Sequence, residues 1–444
     1  MAKKSTAAAK RNILPVNRHI ILEDGFKFLI DLERSHDCYL YDATNRREIL
    51  DLFSFFATNA LGHNHPKMTS DKRFLKDMQI AGIENPSNSD FYTRQYATFL
   101  EAFGKYAMPK AFTHAFFISG GTLAVENALK VAMDWKIKKN FHKGLRQEKG
   151  KQVIHFRQAF HGRSGYTLSL TNSKPVQTDY FTTFDWPRID NPKIHFPLDA
   201  QAEQKLIKAE KEAIRQIRKA FADDPDDICA IIIEPIQSEG GDNHFRKEFF
   251  HELRRIADEQ EVMLIFDEVQ NGVGLTGKFW AYEHFGVVPD ILCFGKKMQV
   301  CGIMATSRVD EIEDNCFTTA GRINSTWGGN LSDMVRATKI LEIIHKEKLV
   351  ENAEKQGRYI LEWLHKLAEK HQLRNIRGRG LQCAFDLPSG KLRDELISRA
   401  LDNHLLLIGA GEFSIRLRPA LIIRKRHIND AMKIIGRTLN DMGI

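Results

Sequence analysis

The 444-residue chain lacks the features that mark disulfide-rich, membrane-spanning and repeat proteins. Its six cysteines form no Cys-x-x-Cys pair and lie mostly in apolar runs, which indicates buried free thiols in a reducing compartment. No apolar run approaches the ~18 residues that a membrane-spanning helix needs, and no internal repeat or low-complexity linker is present. These absences favour a globular protein with a large core. The cysteines are Cys38, Cys229, Cys293, Cys301, Cys316 and Cys383.

Acidic residues are missing from the beginning of the chain. Residues 1–18 contain five lysines and arginines and no acid, but no apolar segment like that of a secretory signal, so we expect a cytoplasmic protein. Residues 136–151 form a second basic segment with seven bases and one acid. The rest of the chain is close to neutral, although the formal net charge is +8. Because runs of charge are usually solvated, a nucleic-acid-binding protein is the remote alternative, and neither nucleic acid nor membrane is the expected partner.

Short apolar strands alternate with helices in the middle of the chain. Residues 201–221 have the periodicity of an amphipathic helix, and an apolar strand follows at 228–234. A second predicted strand lies at 262–266, and a predicted helix at 279–285 leads to a third strand at 291–294. Strands that are apolar throughout and separated by helices are typical of a parallel sheet covered on both faces. We therefore predict an α/β fold with a mostly parallel sheet.

The C-terminal part of the chain has a different pattern. A long helical stretch is predicted at 331–370, followed by short strands and a closing helix near 427–442. A strand pair predicted at 27–32 and 39–42 would pack with this smaller α+β domain. The predicted division is an N-terminal arm with part of the small domain (1–55), a large α/β domain (56–330) and a C-terminal small domain (331–444).

Two glycine-containing turns have the composition of cofactor-binding loops. Ser-Gly-Gly-Thr at 119–122 precedes a helical run, and the free N–H groups of a helix N-terminus attract phosphate. Phe160 and Arg163 flank His-Gly at the exit of another apolar strand, where an aromatic ring stacks on a flat ligand and a guanidinium binds a carboxylate. Taken alone, the first turn is also compatible with an ordinary helix cap, and the second with a core phenylalanine beside a surface arginine.

A carboxylate and a lysine follow two of the buried strands. Asp267 would need a cationic partner, such as a protonated pyridine nitrogen. Lys296 follows the strand at 291–294, where desolvation lowers the pKa of an amine and makes it nucleophilic; its neighbour Lys297 would then be a solvated lysine. A phosphate site, a stacking aromatic ring, an acid and a lysine are together the requirements of pyridoxal 5'-phosphate, PLP. The sequence therefore predicts PLP as the cofactor and no metal.

Longer stretches of sequence identify a family. The chain resembles the class III PLP-dependent aminotransferases over nearly its whole length, and within them the members that act on the terminal amino group of L-lysine. The resemblance implies a fold-type I transferase whose large domain has a mostly parallel seven-stranded sheet, and a homodimer with shared active sites. The stretches are NPSNSDFYT (85–93), AFHGRSGYTLSLTNSKP (159–175), FDWPRID (184–190), EPIQSEGGD (234–242), FDEVQNGVGLTG (266–277), FGKKMQVCG (294–302) and NSTWGGN (324–330).

The same resemblance implies roles for individual residues. Lys296 matches the lysine that carries the cofactor, because the first lysine of the pair does so in the relatives. Asp267 matches the partner of the pyridine nitrogen, and Gln270 matches the residue near the ring hydroxyl. The other cofactor-binding matches are Gly121 and Thr122 at the phosphate, Phe160 on the ring, and Thr326, which the family supplies from the neighbouring subunit. The substrate-binding matches are Arg163, Asn324, Glu239 and Arg416.

The implied reaction transfers the ε-amino group of L-lysine to 2-oxoglutarate, giving glutamate and 2-aminoadipate 6-semialdehyde, which cyclises to piperideine-6-carboxylate. Arg163 would hold the distal carboxylate of either substrate. Glu239 would neutralise Arg416 until 2-oxoglutarate requires that arginine. One position departs from the lysine-specific pattern, because Ser119 stands where the relatives have an acid. Another ω-aminotransferase, acting on ornithine or 4-aminobutyrate (GABA), stays open as the alternative, since one methylene in a pocket is worth only ~1–3 kcal/mol.

Overall fold

Fourteen strands form three sheets in residues 25–444, the part of the chain that the computed structural model describes. They are β1 (Tyr39–Asp42), β2 (Arg47–Asp51), β3 (Phe112–Ile118), β4 (Gln152–Phe156), β5 (Arg188–Ile189), β6 (Ile228–Ile233), β7 (Met263–Asp267), β8 (Ile291–Phe294), β9 (Cys301–Thr306), β10 (Arg374–Arg379), β11 (Gln382–Asp386), β12 (Leu405–Leu406), β13 (Ile408–Ala410) and β14 (Ser414–Leu417). The largest sheet has the order β3-β9-β8-β7-β6-β4-β5. Neighbours from β8 to β5 are parallel, whereas β9 is antiparallel to both β3 and β8. The prediction of a mostly parallel, seven-stranded sheet is confirmed.

Helices cover this sheet and link its strands. The α-helices are α1 (Pro66–Thr69), α2 (Lys72–Ile83), α3 (Arg94–Tyr106), α4 (Gly121–His142), α5 (Gly165–Leu170), α6 (Ala200–Asp223), α7 (Lys247–Glu259), α8 (Leu331–Lys346), α9 (Leu349–Ala368), α10 (Gly390–Asp402) and α11 (Lys425–Met442). A helical turn at Ser54–Ala57 is made of residues with positive φ. Short 3-10 helices lie at Pro175–Gln177, Ala281–His284, Lys296–Met298 and Ser307–Glu311.

Each face of the large sheet has its own hydrophobic core. In β7, Leu264 and Phe266 belong to a core that includes Phe249 of α7, whereas Met263 and Ile265 belong to the core that contains the buried face of α4. Successive side chains of a strand point to opposite faces. A strand covered on both sides must therefore be apolar throughout, which explains why these segments lack polar alternation.

The two smaller sheets involve the ends of the chain. One has the order β10-β11-β14-β13 and is antiparallel, and the other has the order β1-β2-β12. In the second sheet, β12 pairs in parallel with β2, so the described part of the N-terminal arm packs with C-terminal residues. The basic residues 1–18 lie outside the described residues. The domain boundaries at 55/56 and 330/331 stay predictions.

One expectation about the ends of the chain is wrong, and another is confirmed with a break. The predicted strand at 27–32 makes only an isolated bridge through Ile30, and β1 pairs with β2 instead. The predicted helical stretch at 331–370 is two helices, α8 and α9, because Lys348 between them has a φ of 51°. A left-handed residue cannot continue a right-handed helix.

The helix predicted at 279–285 is also wrong, because this segment forms only a 3-10 turn at Ala281–His284. The buried carboxylate of Glu268 accepts hydrogen bonds from the N–H groups of Ala281 and Tyr282, at 2.5 and 2.7 Å. The side chain of Glu283 accepts the N–H of Trp280 at 2.8 Å. These carboxylates accept backbone N–H groups that would bond to backbone carbonyls in a longer helix.

The prediction of buried free thiols is confirmed. All six cysteines are buried and unpaired. Within residues 25–444, no helix combines the length and the apolar character that crossing a bilayer requires.

Several lysines of the basic segment 136–151 make ion pairs or hydrogen bonds within the chain. Lys136 is buried and donates hydrogen bonds to the carbonyls of Gln260 and Glu261, at 3.2 and 3.1 Å. Lys143 forms an ion pair with Glu261, and Lys139 forms one with Glu311. These three lysines therefore have partners within the chain, and the absence of a nucleic-acid partner stays a prediction.

Candidate active site

A cavity of about 460 Å³ lies where the parallel strands end. Ligands bind at this edge of open α/β sheets. Six of the sequence-predicted residues line the cavity: Gly121, Thr122, Phe160, Asp267, Gln270 and Lys296. A larger groove of about 800 Å³ lies between α2, α3 and α8, but it is lined mostly by polar and charged side chains and contains none of the predicted residues.

The N-terminus of α4 forms one wall of the cavity. Gly120 precedes it with a φ of 105°, and neither a capping side chain nor an acidic residue occupies its first turn. A Cβ atom on Gly121 would lie 2.8 Å from Cγ1 of Val269, so the close approach requires glycine. Uncapped N–H groups at the positive end of a 22-residue helix are suited to bind a phosphate.

Asp267 ends β7 and is held by two hydrogen bonds. Its Oδ2 lies 2.8 Å from Nδ1 of His161, and its Oδ1 accepts the N–H of Val269 at 3.0 Å. His161 lines the same cavity, and its Nε2 has no hydrogen-bond partner among the described residues. Sequence reasoning quoted His161 within its motif but assigned it no role. Its position next to Phe160, a predicted cofactor-binding residue, was the sequence signal that could have identified it.

Glu234 is a second residue to which sequence reasoning gave no role. It directly follows β6, lines the cavity, and accepts the N–H groups of Phe160 and Ser238 at 3.0 and 3.1 Å. Burial raises the pKa of Glu234 to about 7; His161 opposes this shift and Asp267 reinforces it. Glu234 therefore fixes the backbone that presents the ring of Phe160.

Lys296 and Lys297 have different surroundings. Lys296 lines the cavity, and its pKa is lowered to about 8 by burial and by Arg416, against the opposite effects of Glu239 and Asp267. Lys297 is buried elsewhere and donates a hydrogen bond to the carbonyl of Ala57 at 2.6 Å. The expectation that Lys297 is solvated is therefore wrong, since burial holds its pKa well below the usual lysine range.

Glu239 and Arg416 form an ion pair beside this cavity. Oε2 of Glu239 lies 2.5 Å from Nη2 of Arg416, and Nη1 of Arg416 donates to Oε1 of Gln270 at 3.2 Å. The other oxygen of Glu239, Oε1, accepts a hydrogen bond from Nζ of Lys174 at 2.8 Å. Although burial acts to raise the pKa of Glu239, Arg416 and Lys174 together lower it. Sequence reasoning did not identify Lys174.

Besides the Glu239–Arg416 pair, three of the predicted residues lie outside the lining of the cavity. Arg163 is exposed, with its guanidinium carbon 5.9 Å from the ring centre of Phe160. Asn324 and Thr326 are also exposed, in a loop that residues 88–89 hold by hydrogen bonds to its backbone carbonyls. A single described chain therefore does not bring the loop residues into its own cavity.

A separate group of possible metal ligands lies outside the lining of the cavity. Ligand atoms of Asp37, Cys38 and His427 are within 4.8 Å of one another. Arg426 already forms an ion pair with Asp37 at 2.6 Å, and it donates a hydrogen bond to the ring of His427. Because the guanidinium of Arg426 already binds the Asp37 carboxylate and the His427 ring, we propose no metal there.

Comparison with known proteins decides the family. Residues 22–439 match the family model described as aminotransferase class-III. The chain belongs to this family. It is 48% identical to the L-lysine-epsilon aminotransferase of Mycobacterium tuberculosis over 98% of both chains, and 42% identical to that of Streptomyces clavuligerus over 94% of this chain and 92% of the relative. It is 31% identical to the human mitochondrial 4-aminobutyrate aminotransferase over 94% and 86% of the two chains.

Solved structures agree with this assignment. The lysine aminotransferase of M. tuberculosis in the internal aldimine form superposes with a TM-score of 0.95, at 47% identity and covering 97% of this chain and 99% of that one. The fold-type I architecture expected from the sequence is thereby confirmed.

PLP, the cofactor of class III aminotransferases, fits the residues of the cavity. The uncapped start of α4 suits its phosphate, and a carboxylate held by His161 suits a protonated ring nitrogen. The Lys296 amine, with a pKa of about 8, suits the aldehyde. The roles of the individual residues stay predictions.

Proposed function

We propose that this aminotransferase transfers the ε-amino group of L-lysine to 2-oxoglutarate, forming glutamate and 2-aminoadipate 6-semialdehyde, which cyclises to piperideine-6-carboxylate. The observation that carries the proposal is 48% identity over 98% of the chain to an L-lysine-epsilon aminotransferase, against 31% to a 4-aminobutyrate aminotransferase. The Glu239–Arg416 ion pair supports it, because the two substrates differ in charge at their reacting ends.

PLP would be held by residues that line the cavity. Gly121 and Thr122 would bind its phosphate, Phe160 would pack on its ring, and Gln270 would lie near its hydroxyl group. When bound, PLP supplies an electron sink for the carbon attached to the substrate nitrogen. Asp267, oriented by His161, would stabilise positive charge at the ring nitrogen.

Lys296 would move the proton. With a pKa near 8, part of its population is a neutral amine at neutral pH, which a base requires. It would remove the proton from Cε of lysine, hold it on Nζ, and deliver it to the carbon on the other side of the transferred nitrogen.

Two arginines would distinguish the two substrates. When L-lysine is bound, Glu239 neutralises Arg416, and the exposed Arg163 binds the distant carboxylate. When 2-oxoglutarate is bound, Glu239 would release Arg416 so that this arginine binds the carboxylate next to the reacting carbon. A guanidinium suits this task because it forms two parallel hydrogen bonds with a carboxylate.

The test is a substrate panel on the purified, PLP-loaded enzyme. L-lysine, L-ornithine and GABA are each supplied with 2-oxoglutarate, and glutamate is quantified; the cyclic imine formed from the lysine or ornithine product is also trapped with 2-aminobenzaldehyde. We expect kcat/KM for lysine to exceed that for ornithine by at least about tenfold, the usual value of one methylene. Lys296→Ala is the inactive control. Faster turnover of ornithine or GABA would refute lysine as the substrate.

We also propose that the enzyme is a homodimer in which Asn324 and Thr326 complete the partner's site. Both side chains are exposed outside their own cavity, and exposed apolar side chains of Phe91 and Trp327 lie on the segments around them. Mixing inactive Lys296→Ala with Thr326→Ala chains should restore up to about a quarter of wild-type activity, because half of random dimers have one intact site of two. No recovery after mixing and subunit exchange would contradict shared sites.

The six unpaired cysteines support a cytoplasmic location, and the substrate supports a role in lysine degradation. Cell fractionation, and growth of a deletion strain on lysine as nitrogen source, would test the two statements. Recovery in an oxidising compartment would refute the first, and undiminished growth would refute the second.

A further inference from the structure

Glu239 contacts two different cations through its two oxygens. Oε2 pairs with Nη2 of Arg416 at 2.5 Å, and Oε1 accepts a hydrogen bond from Nζ of Lys174 at 2.8 Å. The proposed function requires Glu239 to release Arg416 when a dicarboxylate binds. Its carboxylate is then a mostly buried negative charge, only 15% exposed, which needs another partner.

We propose that Lys174 is that partner: it retains Glu239 when Arg416 is released and so determines how readily the active site accepts 2-oxoglutarate. Lys174 is in this sense a positioning residue, acting on the substrate through Glu239 and Arg416. The inference rests on the proposed exchange of Glu239 and Arg416 between the two halves of the reaction.

Arg416 is fixed in the fold and does not follow Glu239. It lies in β14 between β11 and β13, its side chain is 1% exposed, and Nη1 remains bound to Gln270. The backbone of Glu239 is also held, because its carbonyl accepts the N–H of Gly411 at 2.9 Å. A Cβ on the following residue, Gly240, would lie 2.1 Å from the carbonyl oxygen of Gln158. Release therefore occurs by movement of the Glu239 side chain alone.

Lys174 is anchored at its backbone and free at its end. Asn172, two residues earlier, accepts the N–H of Gln158 at 2.6 Å and donates to the carbonyl of Phe156 at 3.1 Å. The 3-10 helix Pro175–Gln177 follows directly. The side chain of Lys174 is 44% exposed, so its amine can follow the carboxylate over a short distance.

The sign of the effect follows from the sharing of one carboxylate. In the paired state two cations share Glu239, so each is only partly neutralised. After release, Glu239 neutralises Lys174 alone, and the substrate carboxylate neutralises Arg416. Lys174 therefore stabilises the released state more than the paired state. Without Lys174, the released carboxylate of Glu239 would have no cationic partner. The enzyme would therefore bind 2-oxoglutarate less well.

The experiment compares Lys174→Met, which keeps the length and removes the charge, with Lys174→Arg in the PLP-loaded enzyme. We expect Lys174→Met to raise the KM for 2-oxoglutarate about fivefold, as for a partly exposed ion pair, with kcat and the single-turnover reaction with lysine changed less than twofold. Lys174→Arg should restore the KM. Calorimetry with glutarate, a dicarboxylate that cannot react, should show the same fivefold loss of affinity.

A double-mutant cycle ties the effect to Glu239. In a Glu239→Ala background, Lys174→Met should no longer weaken glutarate binding. Equal weakening in both backgrounds, an unchanged KM for 2-oxoglutarate, or an equal loss in the lysine reaction would each overturn the inference. Failure of the wild-type enzyme to use lysine would refute the proposed function instead, and the glutarate cycle would still measure the coupling of Lys174 to Glu239.

Discussion

The Lys296 amine should titrate near pH 8, whereas an ordinary lysine titrates near 10.5. Burial is the main cause, because a charged amine loses its hydration in the cavity, and the positive charge of Arg416 adds to the effect. Glu239 and Asp267 act in the opposite direction, since their carboxylates stabilise the ammonium form.

The difference in pKa changes the amount of reactive amine greatly. At pH 7 a group with a pKa of 8 is about one-tenth neutral, whereas a group with a pKa of 10.5 is neutral in roughly three molecules in ten thousand. The reactive fraction of Lys296 is thus about 300-fold larger than that of an ordinary lysine. The position of the titration midpoint is the sharper observable, because intrinsic nucleophilicity also falls with pKa.

The assay is pulse labelling of the PLP-free enzyme with acetic anhydride from pH 6 to 11, followed by quantification of the Lys296 peptide by mass spectrometry. The peptide that contains the exposed Lys211 serves as the internal standard for reagent dose. Glu239→Gln should move the midpoint of Lys296 below 8, because it removes a negative charge that raises the pKa. A midpoint near 10.5, or an upward shift in Glu239→Gln, would refute the reasoning.

Two further predictions concern buried bases outside the chemical step. Lys297→Met should keep the PLP absorbance that Lys296→Ala loses. It should lower the midpoint of thermal unfolding, because Lys297 donates a hydrogen bond to the carbonyl of Ala57. Loss of the absorbance in Lys297→Met would reverse the assignment of the two lysines. His155 accepts a hydrogen bond from Nε of Arg188 at 3.1 Å, and burial with Arg188 lowers its pKa to about 3 from 6.5. The unfolded chain alone binds this proton below pH 6.5, so wild type should lose about 2 kcal/mol of stability relative to His155→Gln between pH 6.5 and 5; parallel unfolding curves would contradict this.

Apolar strands and the residues at their ends were predictable from the sequence. The strand at 291–294 was predicted with its observed bounds, because a strand covered on both faces is a continuous apolar run. Asp267 and Lys296 were grouped correctly because carboxyl ends of parallel strands meet at one edge of the sheet.

Side-chain pairs between distant loops were not predictable. Lys174 and Glu239 are 65 residues apart, and His161 and Asp267 are 106 apart. Such contacts depend on the conformation of the connecting loops and on side-chain rotamers, which hydrophobic periodicity does not specify. The burial of Lys297 was not predictable either. Two adjacent lysines in the sequence do not indicate that the second amine is buried and donates a hydrogen bond to the carbonyl of Ala57.

The charges around Lys296 lead to a last prediction about its two tasks. Glu239 raises and Arg416 lowers the pKa of Lys296, so the neutralisation of Arg416 affects the base itself. In the lysine reaction Glu239 neutralises Arg416, and in the 2-oxoglutarate reaction the substrate carboxylate would do so. The ascending, low-pH limb of the pH profile reports deprotonation of this base; measured by single turnovers, it should therefore coincide in the two half-reactions of the wild-type enzyme.

Glu239→Gln should separate the two profiles. Without the carboxylate, Arg416 stays uncompensated while lysine is bound, and the pKa of Lys296 falls in that half-reaction only. The 2-oxoglutarate profile should stay in place, because the substrate still neutralises Arg416. If both profiles moved together, Glu239 would affect the pKa of Lys296 independently of the substrate. The exchange of carboxylates at Arg416 would then not be what keeps the pKa of Lys296 the same in the two half-reactions.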